Sequence, residues 1–173
     1  MILSLKNCVK MTHIINRTER KLLMNLVIFQ PDIPQNTGAM VRICSCFDVD
    51  IELIHPASFP LNDKSLKRVS MDYGNNIKIT QHNSWKEYKK SISNEQRIIL
   101  LSTKGVINYS DFRFIKDDHI MVGKESAGVP NDIHKEVSEV IRIPMSENSR
   151  SLNVATSAAI VLSEAMRQLK IEL

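Results

Sequence analysis

Short apolar blocks alternate along this chain with longer blocks in which apolar residues recur at helical spacing. The runs LVIF and RIILL are almost entirely apolar, as in parallel strands that helices cover on both faces. Strands are therefore predicted near Asn25–Gln30, Asp50–Ile54, Ile77–Thr80, Arg97–Ser102, His119–Val122 and Val140–Ile143. Helices are predicted near Gly38–Phe47, Lys64–Met71, Ser84–Ser91, Asn131–Glu136 and Leu152–Lys170. The alternation predicts a single α/β domain, a doubly wound and mostly parallel sheet with helices on both faces.

The last predicted helix has a continuous stripe of small and apolar residues. Ser151 precedes it at the position of an N-cap. The pattern is typical of an ordinary core helix, but small residues also let a second backbone approach closely, which suits a homodimer interface. The stripe is formed by Ala155, Ala158, Leu162, Ala165 and Leu169.

The net charge of +4 is unevenly placed along the 173 residues. Residues 1–23 hold five basic side chains and one acidic one, which accounts for all of it, and the remaining residues balance. Any affinity of the folded body for nucleic acid must therefore come from local clusters of cations. We expect a domain over 24–173 preceded by a basic extension, which is a disordered arm, an extra short helix, a mitochondrial-type presequence or the product of an upstream start. It lacks the apolar core of a secretory signal.

Cysteines, histidines and apolar runs exclude several classes of protein. Cys8, Cys44 and Cys46 form no disulfide framework and indicate a reducing compartment. Cys44 and Cys46 lie two apart on a predicted helix, so their side chains diverge by about 200° and are expected to be small core residues. The five histidines lack metal-binding spacing, and no apolar run approaches the ~18 residues of a membrane span. We expect neither a metal nor a membrane anchor.

The segment PDIPQNTGAMVRI, at 31–43, joins the first strand to the first helix. Asn36 or Thr37 is expected to cap a helix that starts at Gly38. Arg42 is the only charged residue among the apolar residues that follow, and a guanidinium in such surroundings needs an anion. That anion is either Asp32 or Glu125 in an internal salt bridge, or a group of the substrate.

Two further segments have the composition of ligand-binding loops. VGKESAGVP, at 122–130, lacks the spacing of a phosphate-binding loop, so Gly123 and Gly128 are expected to allow a tight backbone excursion, with Lys124 a solvated loop lysine. LSTKG, at 101–105, follows the central strand, where open sheets bind ligands.

A cluster of cations is a candidate for phosphate contacts. Lys64, Lys67 and Arg68 lie at i, i+3 and i+4, hence on one helical face. Such a cluster is either a solvated face or a site for RNA phosphates. Arg150, in the loop before the last helix, is a further candidate.

Together 31–43, 122–130 and 143–162 resemble, in order and spacing, the three motifs of the SPOUT superfamily of RNA methyltransferases. More narrowly, they resemble its single-domain TrmL-type branch, which methylates the ribose 2′-oxygen of the tRNA wobble nucleotide. The resemblance covers Met24 to about Gln168, but Ala127 stands where the branch commonly has an arginine. It implies a deep C-terminal trefoil knot, S-adenosylmethionine as cofactor, and a cytoplasmic homodimer with its site between subunits. The implied substrate is tRNA with cytidine or modified uridine at the wobble position, with leucine tRNAs expected.

The resemblance also assigns residues. Because arginine stays protonated, we expect Arg42 to orient the 2′-hydroxyl and stabilise the developing alkoxide, while an RNA phosphate takes the proton. The implied catalytic residues are Arg42, Asn36, Glu125 and Asn153, although Asn153 could equally be a simple cap. The implied cofactor-binding residues are Leu101, Ser102, Thr103, Gly105, Gly123, Ile143, Met145 and Ser151, and the RNA-binding residues are Lys64, Lys67, Arg68 and Arg150.

Three other functions remain to be weighed. The enzyme could methylate a different tRNA or rRNA nucleotide, or the chain could be a non-catalytic module that binds S-adenosylmethionine and RNA. A nicotinamide-dependent oxidoreductase is disfavoured, because the chain has no G-x-G-x-x-G fingerprint.

Overall fold

The computed structural model describes residues 24–60 and 77–171. Among them, seven strands form one parallel sheet in the order β3–β2–β1–β6–β4–β7–β5. The strands are β1 Asn25–Phe29, β2 Asp50–Ile54, β3 Ile79–His82, β4 Ile98–Leu101, β5 Ile107–Asn108, β6 His119–Val122 and β7 Glu139–Arg142. The predicted α/β class and parallel sheet are confirmed.

The central strands are buried on both faces. All four residues of β6 are buried, as are the last four residues of β1 and the first three of β4. A strand that is covered on both faces has no solvent-facing positions that call for polar residues at every second place. This is why LVIF and RIILL are nearly continuous apolar runs in the sequence.

Four helices cover the described part of the sheet. They are α1 Pro34–Phe47, α2 Trp85–Ser91, α3 Asn131–His134 and α4 Val154–Leu169. Helices α1 and α4 contribute to one core cluster, with Met40, Val41 and Leu162 among its buried side chains. Helices α2 and α3 contribute Tyr88 and Ile133 to a second cluster. Both faces of the sheet are therefore covered, as predicted.

The small-residue stripe lies inside the chain's own core. Ala155, Ala158, Leu162 and Ala165 are at most 4% exposed, and α4 packs against α1. The interpretation as a core helix is confirmed. A homodimer interface on this face is wrong, because α1 and the sheet already cover it.

The helix starts differ from the predictions. Helix α1 begins at Pro34, and its N-cap, Ile33, makes no side-chain cap hydrogen bond. Neither Asn36 nor Thr37 caps it, because the helix already begins at Pro34, whose fixed φ suits the first helical position, and both residues lie inside the first turn. Asn153, not Ser151, is the N-cap of α4, and its Oδ1 accepts from the N–H groups of Ala155 and Thr156.

Other boundaries shift by a few residues. Strand β3 was predicted two residues too early, and β5, only two residues long, was missed because so short a strand carries no periodicity. The predicted helix at Lys64–Met71 lies outside the described residues. Cys44 is buried as expected, but Cys46 is exposed, so its assignment to the core is wrong.

Candidate active site

A cleft of about 500 Å³ opens at the carboxyl ends of the central strands, a volume typical of small-molecule sites. Its walls come from the segments that follow β4, β6 and β7, from the start of α4 and from Asn36 of α1. Strands β1, β6, β4 and β7 are neighbours in the sheet, so loops that are distant in sequence meet here. The lining side chains include apolar Leu101, Val129, Ile143, Met145 and Leu152 and polar Asn36, Ser102, Glu125, Ser151 and Asn153.

The loop after β6 makes a tight excursion beside the cleft. Lys124 and Gly128 exchange two backbone hydrogen bonds of 3.2 and 2.7 Å, and Gly128 has a φ of +67°. A Cβ at Gly123 would approach the carbonyl carbon of Gly128 to 2.8 Å. The predicted role of these two glycines in a tight turn is confirmed.

Asp32 and Glu125 join the loop after β1 to the loop after β6 by a reciprocal pair of hydrogen bonds, called the clasp below. The N–H of Asp32 donates to Glu125 Oε2 at 3.0 Å, and the N–H of Glu125 donates to Asp32 Oδ1 at 3.2 Å. Hydrogen bonding with the Glu125 side chain lowers the pKa of Asp32 to about 2, whereas burial and then Asp32 raise the pKa of Glu125. Asp32 therefore ionises at a lower pH than Glu125.

A chain of amide hydrogen bonds continues from Glu125 to α4. Asn36 Nδ2 donates to Glu125 Oε1 at 3.1 Å, and Asn153 Nδ2 donates to Asn36 Oδ1 at 2.9 Å. Three of the four residues expected to be catalytic thus lie in one connected network. Asn153 is both a helix cap and a partner of Asn36, so the two alternatives for it are combined in one side chain.

Arg42 lies apart from this network. Arg42 is exposed on α1, so the expectation that its guanidinium lies among apolar side chains is wrong. Asp32 and Glu125, the anions considered for it, are hydrogen-bonded to each other. Arg42 follows Asn36 by six residues, which places it about 120° around the helix and ~9 Å along it. Asn36 lines the cleft, and Arg42 is outside the described residues that do so.

Most residues expected to bind the cofactor line the cleft. The exception is Gly105, which is buried beneath it: a Cβ there would lie 2.5 Å from the carbonyl carbon of Ile141 in β7. Glycine at this position allows the loop after β4 to pass against a neighbouring strand. The residues of this group that line the cleft are Leu101, Ser102, Thr103, Gly123, Ile143, Met145 and Ser151.

Of the four residues expected to bind RNA, Arg150 lies in the part of the chain that the structure describes. Lys64, Lys67 and Arg68 lie outside the described residues. Arg150 is exposed in the segment that leads from β7 to α4, next to Ser151 at the cleft. Its position is compatible with contact to a large ligand over the cleft.

The sequence analysis missed several residues at the cleft. Lys104 lines it and donates to Asn131 Oδ1 at 3.2 Å, and His134 lies nearby, its pKa lowered by burial and then by Lys104. Lys124, expected to be only a solvated loop lysine, also lines the cleft, and its Nζ lies 4.0 Å from Asp32 Oδ2. The sequence around a lysine in a loop does not show whether its side chain is solvated or lines a cleft.

Within 24–60 and 77–171, no group of three or more histidine, cysteine or acidic side chains is arranged to hold a metal ion. No helix in the part of the chain that the structure describes has the length and apolar character to cross a bilayer.

Known proteins match this chain in fold and over most of its length. A tRNA (cytidine(34)-2'-O)-methyltransferase of Beijerinckia indica is 44% identical over 144 residues, covering 83% of this chain and 90% of that protein. The Escherichia coli K12 protein of the same name is 34% identical and covers 85% of this chain and 94% of its own length. A solved structure described as "Structural insights into the 2-OH methylation of C/U34 on tRNA" superposes with a TM-score of 0.81 at 31% identity, covering 85% of this chain and 96% of that one.

A more distant structure has the same fold. The SpoU methyltransferase AviRb of Streptomyces viridochromogenes, in complex with the cofactor AdoMet, superposes with a TM-score of 0.74 at 22% identity, covering 89% of this chain and 60% of that one. The profile of the SpoU rRNA Methylase family matches residues 23–163, which include β1, the clasp, the cleft and most of α4. This chain belongs to the SpoU methylase family.

Proposed function

We propose that this protein methylates the ribose 2′-hydroxyl of the wobble nucleotide, cytidine or modified uridine, in the anticodon loop of tRNA. The observation that carries the proposal is the network of Asn36, Glu125 and Asn153 at the mouth of one cleft. The relatives named for this reaction support it, since they match more than four fifths of the chain. A wobble nucleotide lies in a single-stranded loop, where its ribose is accessible.

S-adenosylmethionine fits the chemistry of the cleft as the methyl donor. Leu101, Ile143 and Met145 offer apolar surface for an adenine ring, and the loop residues Ser102 and Ser151 offer polar groups for its edges and the ribose. Thr103 and Gly123 complete this wall, with Gly105 supporting the loop from below. When bound, this cofactor supplies a methyl carbon that its sulfonium already makes electrophilic.

The chain's own residues then have to position and stabilise the attacking oxygen. Asn36 has its amide oriented at both ends, by Glu125 and by Asn153, and presents it to the cleft. Arg42 is a permanent cation, so it stabilises negative charge that develops on the 2′-oxygen rather than removing its proton. A phosphate of the RNA takes that proton. Holding the oxygen in line with the methyl carbon contributes much of the rate.

A homodimer reconciles the exposed position of Arg42 with this role. Since Arg42 and Asn36 lie on different sides of α1, Arg42 reaches a methyl-transfer site from a second copy of the chain. Co-expression of Arg42→Ala with Glu125→Gln tests this, because a mixed dimer then has one intact site built from both chains. Recovery of activity above that of either variant alone is the expected result. No recovery in a verified mixed dimer would place Arg42 and Glu125 in the same subunit's site.

Other features of the resemblance belong to the same proposal. The C-terminal third of the chain forms a deep trefoil knot. Lys64, Lys67, Arg68 and Arg150 contact tRNA phosphates, leucine tRNAs are the substrates, and the enzyme works in the cytoplasm. Residues 1–23 are dispensable, since the domain starts with Met24, whose side chain is 1% exposed in the core. A chain that begins at Met24 is expected to be soluble and active; an insoluble product would refute that boundary.

Tritiated methyl transfer from S-adenosylmethionine to bulk tRNA tests the activity directly. Mapping 2′-O-methyl marks in tRNA from cells that lack the protein identifies the nucleotide, and loss of the mark at position 34 of leucine tRNAs is expected. Loss at another tRNA or rRNA position would favour the alternative substrate. Binding of cofactor and tRNA without transfer would favour the non-catalytic module.

A further inference from the structure

Asp32 lies at the start of the hydrogen-bond network, next to the described residues that line the cleft. Its N–H holds one oxygen of the Glu125 carboxylate at 3.0 Å, and Asn36 holds the other at 3.1 Å. Both oxygens of Glu125 therefore have a fixed donor, one from the backbone and one from a side chain. The rotation of this carboxylate is set by the loop that carries Asp32.

The carboxylate of Asp32 is itself held in place and is largely shielded. It accepts from the N–H of Glu125 at 3.2 Å and faces Lys124 Nζ at 4.0 Å, and its side chain is 14% exposed. Hydrogen bonding with the Glu125 side chain, and then with Ser126, lowers the pKa of Asp32 despite its burial, so Asp32 keeps its negative charge beside a second carboxylate. The retained charge on Asp32 in turn opposes ionisation of Glu125.

A shift of the Glu125 carboxylate would be passed to the amide of Asn36 through a single hydrogen bond. Glu125 Oε1 is the acceptor that orients Nδ2 of Asn36, and the other end of that amide is held by Asn153. We propose that Asp32 is a positioning residue for methyl transfer, which acts through Glu125 to orient the amide of Asn36. This inference rests on the proposed function.

A purely structural role for Asp32 makes a different prediction. If the clasp only ties two loops together, an asparagine at position 32 serves equally well, because the N–H at 32 and an acceptor oxygen remain. If its charge also controls Glu125, the same isosteric change alters the protonation of Glu125 while the fold persists. The groups that face Glu125 are Asp32 from the loop after β1 and the neutral Asn36 from α1, and Lys124 from the loop after β6 faces Asp32.

The test compares Asp32→Asn with the wild-type chain in steady-state methyl transfer to tRNA. We expect kcat to fall by about tenfold to a hundredfold, because an uncharged side chain at 32 holds the N–H of Glu125 and Lys124 less firmly and lets the Glu125 carboxylate shift relative to Asn36. The Kd for S-adenosylmethionine, measured by calorimetry, is expected to remain close to the wild-type value. The acidic limb of the kcat profile should move to lower pH, because loss of the neighbouring charge lowers the pKa of Glu125. Asp111→Asn, an exposed aspartate bonded to Asn108, is the matched control with unchanged kcat.

A double-mutant cycle establishes whether Asp32 acts through Glu125. In a Glu125→Gln background, Asp32→Asn should cause no further loss of kcat, whereas independent effects would multiply. Should Asp32→Asn fail to fold, Asp32→Glu, which keeps the charge but lengthens the side chain, should lower kcat without moving the pH profile. Wild-type kcat and an unmoved acidic limb in Asp32→Asn would overturn the proposal while leaving the methyltransferase function intact. Absence of methyl transfer by the wild-type chain would instead refute the function itself.

Discussion

Asn153 donates a 2.9 Å hydrogen bond from its Nδ2 to the Oδ1 of Asn36, which lies 117 residues earlier in the sequence. The Oδ1 of the same side chain accepts from the N–H groups of Ala155 and Thr156 at 3.0 and 3.1 Å. A single amide therefore starts the last helix and orients a polar group of the cleft. Two variants can separate these roles.

Asn153→Asp keeps the oxygen that caps α4 but replaces the donor to Asn36 with a second acceptor. Methyl transfer should fall sharply while the free energy of unfolding stays near the wild-type value. Asn153→Ala should lose the cap as well, at a cost of about 0.5–2 kcal/mol. Urea denaturation and initial rates measured on the same preparations check both. Wild-type rates in Asn153→Asp would show that the bond to Asn36 has no part in turnover.

Arg42→Ala is expected to abolish turnover while cofactor binding stays nearly intact. Arg42 is exposed on α1 and outside the described wall of the cleft, so its loss removes a cation from the reaction without reshaping the cofactor wall. Calorimetric titration with S-adenosylmethionine, beside a tritium transfer assay, separates the two quantities. Arg113→Ala, also exposed, is the matched control and should behave as wild type. Lost cofactor binding by a correctly folded Arg42→Ala variant would make Arg42 a binding or structural residue.

Gly105→Ala should destabilise the protein more than Gly128→Ala. The new Cβ at 105 would lie within 2.5–2.9 Å of three backbone atoms of Ile141 and Arg142, and backbone cannot move aside as a side chain can. We expect a loss of about 1–3 kcal/mol or more from this overpacking. At Gly128 no atom lies within 4 Å, so only the φ of +67° opposes alanine, at roughly 1–2 kcal/mol. Thermal unfolding of the two variants ranks them, and the reverse order would contradict the packing argument.

His119 should make stability fall on acidification. Its side chain is buried with Nδ1 2.7 Å from the hydroxyl of Tyr88, and burial lowers its pKa from 6.5 to about 4. The folded state thus favours the neutral ring. The contribution of His119 to the free energy of unfolding is full above about pH 6.5, and it is lost as the unfolded chain takes up a proton toward pH 4. The difference between the ordinary and the lowered pKa corresponds to about 3 kcal/mol of unfolding free energy. Denaturation at several pH values should show a shallower slope for His119→Gln, and an equal slope would contradict the assignment.

The strands and long helices could be predicted because local patterns determine them. The apolar runs LVIF and RIILL indicate strands buried on both faces, and the stripe of α4 indicates a helix with one buried face. The predicted positions of these three elements were right to within about two residues. The start of α1 could not be placed, because PQNT contains several residues able to begin a helix. Only the structure shows that Pro34 takes the first position and leaves Asn36 for Glu125.

The candidate site was predicted unevenly for a similar reason. Motif residues such as Asn36, Glu125 and Asn153 could be named from resemblance, but their mutual hydrogen bonds depend on the order of strands in the sheet. Asp32 entered only as a counter-ion for Arg42, since nothing in its neighbours reveals that it would meet Glu125, 93 residues away. Cys46 and Arg42 were misplaced because helical spacing alone does not say which face turns outward.

Strands β1, β6, β4 and β7, side by side in the sheet, are far apart in the order of synthesis. During synthesis, Asn36 and the segment after β4 leave the ribosome before the segment that carries Asn153 does. The polar contact between α1 and α4 can form only once residue 153 has left the ribosome. Competence to modify RNA is therefore gained only after α4 has emerged, and a nascent chain whose α4 is still inside the ribosome would lack that activity.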